Sequence, residues 1–354
     1  MQIGILTFQD TTNYGACLQC FALTKYINNL GYKCETIQYF CKEIKKREFG
    51  LRLFSNGIIK LPITLISYIF KMKKRELIKH FLKTNCLMSQ RKYNSKNIKK
   101  SNEIYDLFIS GSDIIWELNV TGGDYNYYLA FVEDNGKKFA YSSSFGYETI
   151  PSIFAEKSIF YLRQYKRIST RENSGADLLY NYLKERPIVT LDPTLLFSAD
   201  EWLKYEEAMD IEKKYIFLYF DDDKHITLNF AKKLADEKKM PIVFLNDSVR
   251  KNKYCINVKN VTVGQFIWLI HNAEYVITGS YHGVLFSINF HKEFYYYNRN
   301  HPGRINTIMS NLNILGREIT DSQITKLDWE KIDANLQNLR NESYLYLEGI
   351  LNDE

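Results

Sequence analysis

The sequence predicts an α/β protein with two Rossmann-like domains facing across a cleft and a basic helical insertion in the first. Three observations carry this. Short apolar runs alternate with segments of helical period in two separate series. The chain has 354 residues, long for one domain and natural for two. Several strand candidates run into small-residue turns that open helices, the arrangement found at the carboxyl edge of a parallel sheet.

The first series starts with a buried strand over residues 2–8. Asn13-Tyr14-Gly15 is a turn, and Cys17, Cys20, Phe21, Leu23, Ile27 and Leu30 then recur at helical spacing until Gly31 stops the helix. A strand over Cys34–Phe40 completes a strand–helix–strand unit. The loop before the helix has a single glycine, so it is not the G-x-G-x-x-G dinucleotide fingerprint. Further strands are predicted over Tyr105–Ser110, Lys138–Ser143, Arg167–Thr170 and Pro187–Leu191. The second series has strands over Tyr215–Phe220, Pro241–Leu245, Tyr275–Ile277 and Glu293–Tyr297, with helices over 226–238, 262–272 and 283–290 between them. From Asp328, a helix cap, the residues Trp329, Ile332, Leu336, Leu339 and Leu347 predict a long amphipathic helix. The division expected is 1–190, then 191–327, with the boundary inside 185–213 and the helix of 328–354 packed on one of the two domains.

Charge is unevenly spread. Residues 42–100 hold 17 Lys/Arg against 3 Glu, whereas the whole chain is only +6. The remainder is therefore net acidic. Such a block reads either as a footprint for an anionic surface or as the solvated face of a helical insertion. Within it Ile58–Phe70 is apolar apart from Lys60, is broken by Pro62, and is followed by Lys71, Lys73, Lys74 and Arg75. A segment of this kind suits peripheral membrane contact through 58–100, or packing on its own domain. Nucleic acid is not an expected partner. The opening MQIGILTF reads as a strand rather than a signal peptide, and no apolar run reaches spanning length. The expected location is cytoplasmic, with the six cysteines reduced. Cys17 and Cys20 form a C-x-x-C inside a helix with no second pair at zinc spacing, so no metal site is expected.

Several residues stand where chemistry happens in such sheets. His282 lies in Thr278-Gly279-Ser280-Tyr281-His282-Gly283, where a strand meets a helix. Helix N-termini favour anions, and a titratable group beside one suggests acid chemistry on a phosphate or carboxylate. Ser280 and the backbone N–H groups after Gly283 suit phosphate oxygens; alternatively the small residues only permit close packing. Arg171 follows a strand and either clamps an anion or pairs with Glu172. Asp113, in Gly111-Ser112-Asp113, either caps a helix, binds hydroxyls or acts as a base. Arg304 is a further anion ligand candidate. Asp221-Asp222-Asp223 lacks partner ligands and reads as a solvated loop.

Taken together these residues resemble the polysaccharide pyruvyl transferase family. The resemblance rests on Thr12 to Ala16 with Leu18-Gln19, on Asp106 with Phe108 to Asp113 and Trp116, on Ser169-Thr170-Arg171-Glu172, on Asp192 to Leu196, on Thr278 to Phe286, and on Arg304-Ile305 with the tail helix. It implies a GT-B-type fold. It implies transfer of the enolpyruvyl unit of phosphoenolpyruvate onto two hydroxyls of one sugar, giving a pyruvate ketal and phosphate, with no cofactor beyond that donor substrate. Arg171 and His282 match the family's donor-site arginine and histidine, and Ser280, Tyr281, Gly283 and Arg304 join them on the donor side. Asn13, Tyr14, Gly15, Ser112 and Trp116 fall on the acceptor side, in the first domain. His282 would deliver a proton to C3 or stabilise the leaving phosphate, and Asp113 would deprotonate a hydroxyl. Many relatives carry a second arginine where this chain has Ser280, which leaves Arg304 or a lysine to substitute. The acceptor implied is a glycan, often lipid-linked at the inner membrane face. Two other readings remain: a GT-B glycosyltransferase using a sugar nucleotide, and a non-catalytic glycan- or anion-binding relative.

Overall fold

A computed structural model describes residues 1–50, 61–212, 214–220, 225–246, 251–298, 302–321 and 324–352. Asp221-Asp222-Asp223 lies outside the described residues. The first half contains β1 (Gln2–Leu6), α1 (Tyr14–Asn29), β2 (Lys33–Tyr39), α2 (Lys42–Phe49), α3 (Leu61–Asn85), β3 (Met88–Tyr93), β4 (Leu107–Ser110), α4 (Leu118–Thr121), β5 (Lys138–Ser143), α5 (Ser152–Leu162), β6 (Arg167–Thr170), α6 (Asn173–Leu183) and β7 (Ile188–Val189). After α7 (Ala199–Leu203) the second half runs β8 (Ile216–Tyr219), α8 (Ile226–Lys238), β9 (Ile242–Leu245), β10 (Ile256–Val258), α9 (Val263–His271), β11 (Tyr275–Thr278), α10 (Tyr281–Asn289), β12 (Glu293–Tyr296), α11 (Pro302–Asn311) and α12 (Trp329–Leu351).

Two parallel sheets result. The first is ordered β3-β2-β1-β4-β5-β6-β7 and the second β10-β9-β8-β11-β12. All residues of β4, β5, β8 and β9 are buried, as expected of parallel strands covered by helices on both faces. Each sheet reverses its winding once, between β1 and β4 and between β8 and β11. The loops after those strands diverge there and open a crevice. Asn13 and Asp113 lie on the first pair of loops, and Ser280 on the second.

The two halves share one core. Phe21 of α1 packs edge-on against Phe197 and tilts against Trp202, with ring centroids 5.9 and 5.8 Å apart. Tyr14 stacks on Phe266 of α9 at 4.7 Å. The tail helix α12 spans the joint instead of lying on one domain. Its Tyr346 hydroxyl donates to the Ala140 carbonyl in β5, and its Ser343 Oγ accepts the Leu191 N–H. Near its other end Asn335 donates to Leu312 O, and Asp333 meets His291. Apolar residues at both ends of the helix, Ile332 and Leu347, are buried, so it has two surfaces to cover.

The basic block is not purely helical. It holds α2 and α3 but also β3, which pairs with β2 as the edge of the first sheet. β3 reads MSQRKY, too polar to stand out as a strand, which is tolerated on an edge. Residues 58–60 of the apolar segment lie outside the described residues. Along α3, Leu65, Ile66 and Ile69 are exposed. Among the described residues no helix is long and apolar enough to cross a membrane.

Candidate active site

Three strand ends converge on one buried carboxylate, Asp192. It sits on the turn after β7, where Pro193 follows and Thr194 donates to Oδ1 through its N–H (3.0 Å) and its hydroxyl (2.8 Å). Its Oδ2 accepts from Arg171 Nη1 at 3.0 Å and from Ser112 Oγ at 3.2 Å. His282 Nε2 lies 3.4 Å from the same oxygen without the alignment of a hydrogen bond. Burial opposes the charge on Asp192, but His282, Arg171 and the Thr194 N–H outweigh it and hold the carboxyl below the usual range. Arg171 at the end of β6 and His282 at the start of α10 are thus brought together from the two halves.

Arg171 is fully buried, and its Nε and Nη2 have no hydrogen-bond partner among the described residues. Asp113 Oδ1 stands 3.7 Å from Nη2. Burial lowers the guanidinium pKa, yet Asp192 and Asp113 more than offset it. The guanidinium lies 4.9 Å from the centre of the Tyr281 ring, and the Arg304 guanidinium lies 5.4 Å from the same ring. Two arginines therefore stand against one aromatic side chain. Arg304 Nε is also buried and has no hydrogen-bond partner among the described residues. Burial and then Arg171 push its pKa down, a sign of two cations sharing one small space. Arg304 comes from α11, whose N-terminal end meets α6: Asn173 N donates to Thr307 Oγ1 at 3.0 Å.

Gly15 explains how His282 reaches this place. A Cβ on Gly15 would fall 2.0 Å from His282 Nδ1 and 2.3 Å from Cγ. The backbone at the start of α1 is packed directly on the imidazole, and no other residue fits. Asn13 caps α1, its Oδ1 accepting from the Gly15 N–H at 2.9 Å. It is exposed on a cleft of about 350 Å³ that also includes Asp113, Thr12, Tyr127 and Phe220.

Asp113 does not cap a helix. Its φ is +83°, a costly conformation for a residue with a Cβ, and its Oδ1 accepts the N–H of Ile114 at 2.8 Å. The strain is held by a bridge to Ser143 and by Ser144 N donating to Asp113 O at 3.1 Å.

Six expectations need correction. Trp116 is fully buried, donates from Nε1 to Tyr127 O and packs on Phe145 and Tyr128, so it belongs to the core rather than to an acceptor surface. Tyr14 is fully buried with its hydroxyl on Val261 O; it joins the halves. Ser112 is buried and serves Asp192. Ser280 is the N-cap of α10, its Oγ accepting the Gly283 N–H at 3.4 Å, so that N–H is taken up within the helix end and only the O–H of Ser280 is left to donate. Gly283 is needed for close packing, since a Cβ there would meet Thr278 Oγ1 at 2.6 Å. The salt bridge weighed between Arg171 and Glu172 is replaced by the one to Asp192.

Three residues were missed as site members. Asp192 was noted only as part of a motif, although an Asp-Pro-Thr turn after a strand is itself a sheet-edge signal. Glu172 is 2% exposed; its Oε1 accepts from Ser144 Oγ at 2.8 Å and its Oε2 has no partner among the described residues. Burial raises its pKa against the pull of Arg171 and Arg304. Glu117 is raised by burial too, with Arg47 and Arg304 opposing. Glu172 was noted only as the motif neighbour of Arg171, and no local pattern marked Glu117.

A family model described as polysaccharide pyruvyl transferase matches residues 13–301. No curated protein matches the chain. Among solved structures, a putative UDP-N-acetylglucosamine 2-epimerase from Listeria monocytogenes superposes with a TM-score of 0.52 at 9% identity, covering 97% of this chain and 90% of its own. UDP-GlcNAc 2-epimerase from Neisseria meningitidis gives 0.51 at 9% identity, covering 99% and 100%. These likenesses concern the fold, which is of the GT-B type with two Rossmann-like sheets. With its model matched over most of the length, the chain belongs to the polysaccharide pyruvyl transferase family.

Proposed function

We propose that the protein transfers the enolpyruvyl unit of phosphoenolpyruvate to two hydroxyls of a glycan sugar, forming a pyruvate ketal and releasing phosphate. One observation carries this: Arg171 and Arg304, with buried unpaired donors, stand on one aromatic ring beside His282. That is a place for a small ligand with two anionic ends. Arg304 then answers for the arginine that many relatives have at the position of Ser280.

In this reading the donor's carboxylate and phosphate take the two arginines, and charge developing at C2 is met in a site without bulk water. The acceptor enters by the cleft at Asn13. Asp113 takes the hydroxyl proton as the oxygen attacks C2. His282, set by Gly15 and Asp192, gives its proton to the departing phosphate oxygen, and the second hydroxyl closes the ketal. Of the two hydroxyl protons released, one is balanced by C3 and one by phosphate. The acceptor cleft is built mainly from residues 1–190, and the donor lies where Arg171 of that half meets Arg304 and His282 of 191–327. The exposed Leu65, Ile66 and Ile69 of α3, with lysines nearby, support a peripheral contact with an anionic bilayer on the cytoplasmic side.

Thermal unfolding with ligands tests the reading. Phosphoenolpyruvate at about 100 times its Kd should stabilise the protein by about 2.7 kcal/mol, and Arg171→Ala and His282→Ala should lose turnover. Stabilisation by sugar nucleotides and none by phosphoenolpyruvate would favour a glycosyltransferase. Binding of glycan without any turnover would favour the non-catalytic alternative.

A further inference from the structure

We propose that Glu172 is the proton donor to C3 of the enolpyruvyl unit. This rests on the function proposed above and assigns it a residue that nothing else does. Glu172 follows Arg171 directly and lies on a second cavity of about 350 Å³ with Arg304, Ser174 and Tyr147. One carboxyl oxygen is fixed by the Ser144 hydroxyl. The other, Oε2, is buried with no hydrogen-bond partner among the described residues, as is Nε of Arg304, which lines the same cavity. A carboxyl held at one oxygen and unengaged at the other can present a proton to a ligand seated on that arginine.

The surrounding charges reinforce the assignment. Burial favours the neutral acid, and the groups that oppose it are Arg171, the Ser144 hydroxyl, Arg304 and the backbone at Phe145. Tyr281 from α10 also faces it, and Glu148 lies on the cavity wall. Two of the opposing groups are the guanidiniums that the donor's anionic ends would neutralise. Ligand binding therefore removes the pull toward ionisation, and Glu172 takes up a proton as the donor arrives. In the reaction the C2=C3 π pair forms the new C3–H bond with that proton. The acceptor oxygen bonds to C2, its own proton leaves through Asp113, and solvent reprotonates Glu172.

The test is calorimetric titration of the whole protein with phosphoenolpyruvate near pH 7, in two buffers of different ionisation enthalpy. Wild type should take up on the order of one proton on binding, and Glu172→Gln should bind and take up markedly less. With a glycan acceptor, Glu172→Gln should lose about 10²-fold or more in kcat and lose incorporation of solvent deuterium at C3, while Glu172→Asp retains part of both. Should Glu172→Gln fail to fold, Glu172→Asp and Ser144→Ala, which frees Oε1, are read the same way and should each reduce kcat. Equal proton uptake and equal kcat in wild type and Glu172→Gln would overturn the assignment while leaving the pyruvyl transfer standing. A wild-type protein that does not bind phosphoenolpyruvate would overturn both.

Discussion

Gly15→Ala puts a single methyl group against the residue on which the site turns. Its Cβ would lie 2.0, 2.3 and 2.8 Å from His282 Nδ1, Cγ and Cβ. Ordinary van der Waals contact begins near 3.4 Å, so either the imidazole or the start of α1 must move by more than 1 Å. Rotating the ring does not relieve a contact with His282 Cβ, and His282 is only 5% exposed, with little room to retreat. Overpacking of this kind costs about 1–3 kcal/mol. Loss of glycine from a helix returns at most about 1 kcal/mol. A net loss of roughly 1–2 kcal/mol should lower Tm by a few degrees in a chain of this size. Displacement of a catalytic group by about 1 Å can cost about 10²-fold in rate. The assays are thermal unfolding and phosphoenolpyruvate-dependent phosphate release with a glycan acceptor. Turnover should fall far more than stability accounts for. A Gly15→Ala protein with wild-type Tm and wild-type kcat would refute the contact between α1 and His282.

Other perturbations probe the surroundings. Asp192→Asn removes the buried partner of Arg171, at a cost of about 3–5 kcal/mol. Because the Asp192 pKa is depressed in the folded protein, its stabilisation is present above the unfolded value near 4 and fades as pH falls through the lower folded value; denaturant titrations between pH 7 and 3 should show that acid-side loss in wild type and a flatter profile in Asp192→Asn. Arg304→Gln relieves repulsion with Arg171, so its ligand-free Tm should not fall, yet the shift produced by phosphoenolpyruvate should vanish; a preserved shift would remove Arg304 from the donor site. Changing Lys71 and Lys73 to Gln should weaken sedimentation with anionic liposomes, an effect that salt also suppresses; salt-insensitive, unchanged binding would reject the bilayer contact.

Much of the architecture was legible because parallel strands are plain apolar runs. Lys138–Ser143, Arg167–Thr170 and helix 226–238 fall where periodicity put them. β3 escaped because an edge strand can be polar, and α11 because no helix was read at Pro302-Gly303, which in fact open one. Within the site, Arg171, His282 and Asp113 were visible as polar residues at sheet edges. What placed them together was not. Asp192 lies 21 residues from Arg171 and 90 from His282 in the chain, and only packing of the two halves makes it their common partner. Trp116 and Tyr14 misled for a related reason: an aromatic residue beside a motif is as often its support as its surface, and hydrogen bonds to Tyr127 O and Val261 O decide which.

The central claim is that Arg171, Arg304 and His282 hold phosphoenolpyruvate for transfer. Its most direct test is incubation of the protein with phosphoenolpyruvate and soluble or lipid-linked glycans, following phosphate release together with the mass of the glycan. Phosphate and ketal should appear in equal amounts with wild type and disappear with Arg171→Ala and His282→Ala. Phosphate release without ketal, or ketal formation undiminished in both variants, would contradict it.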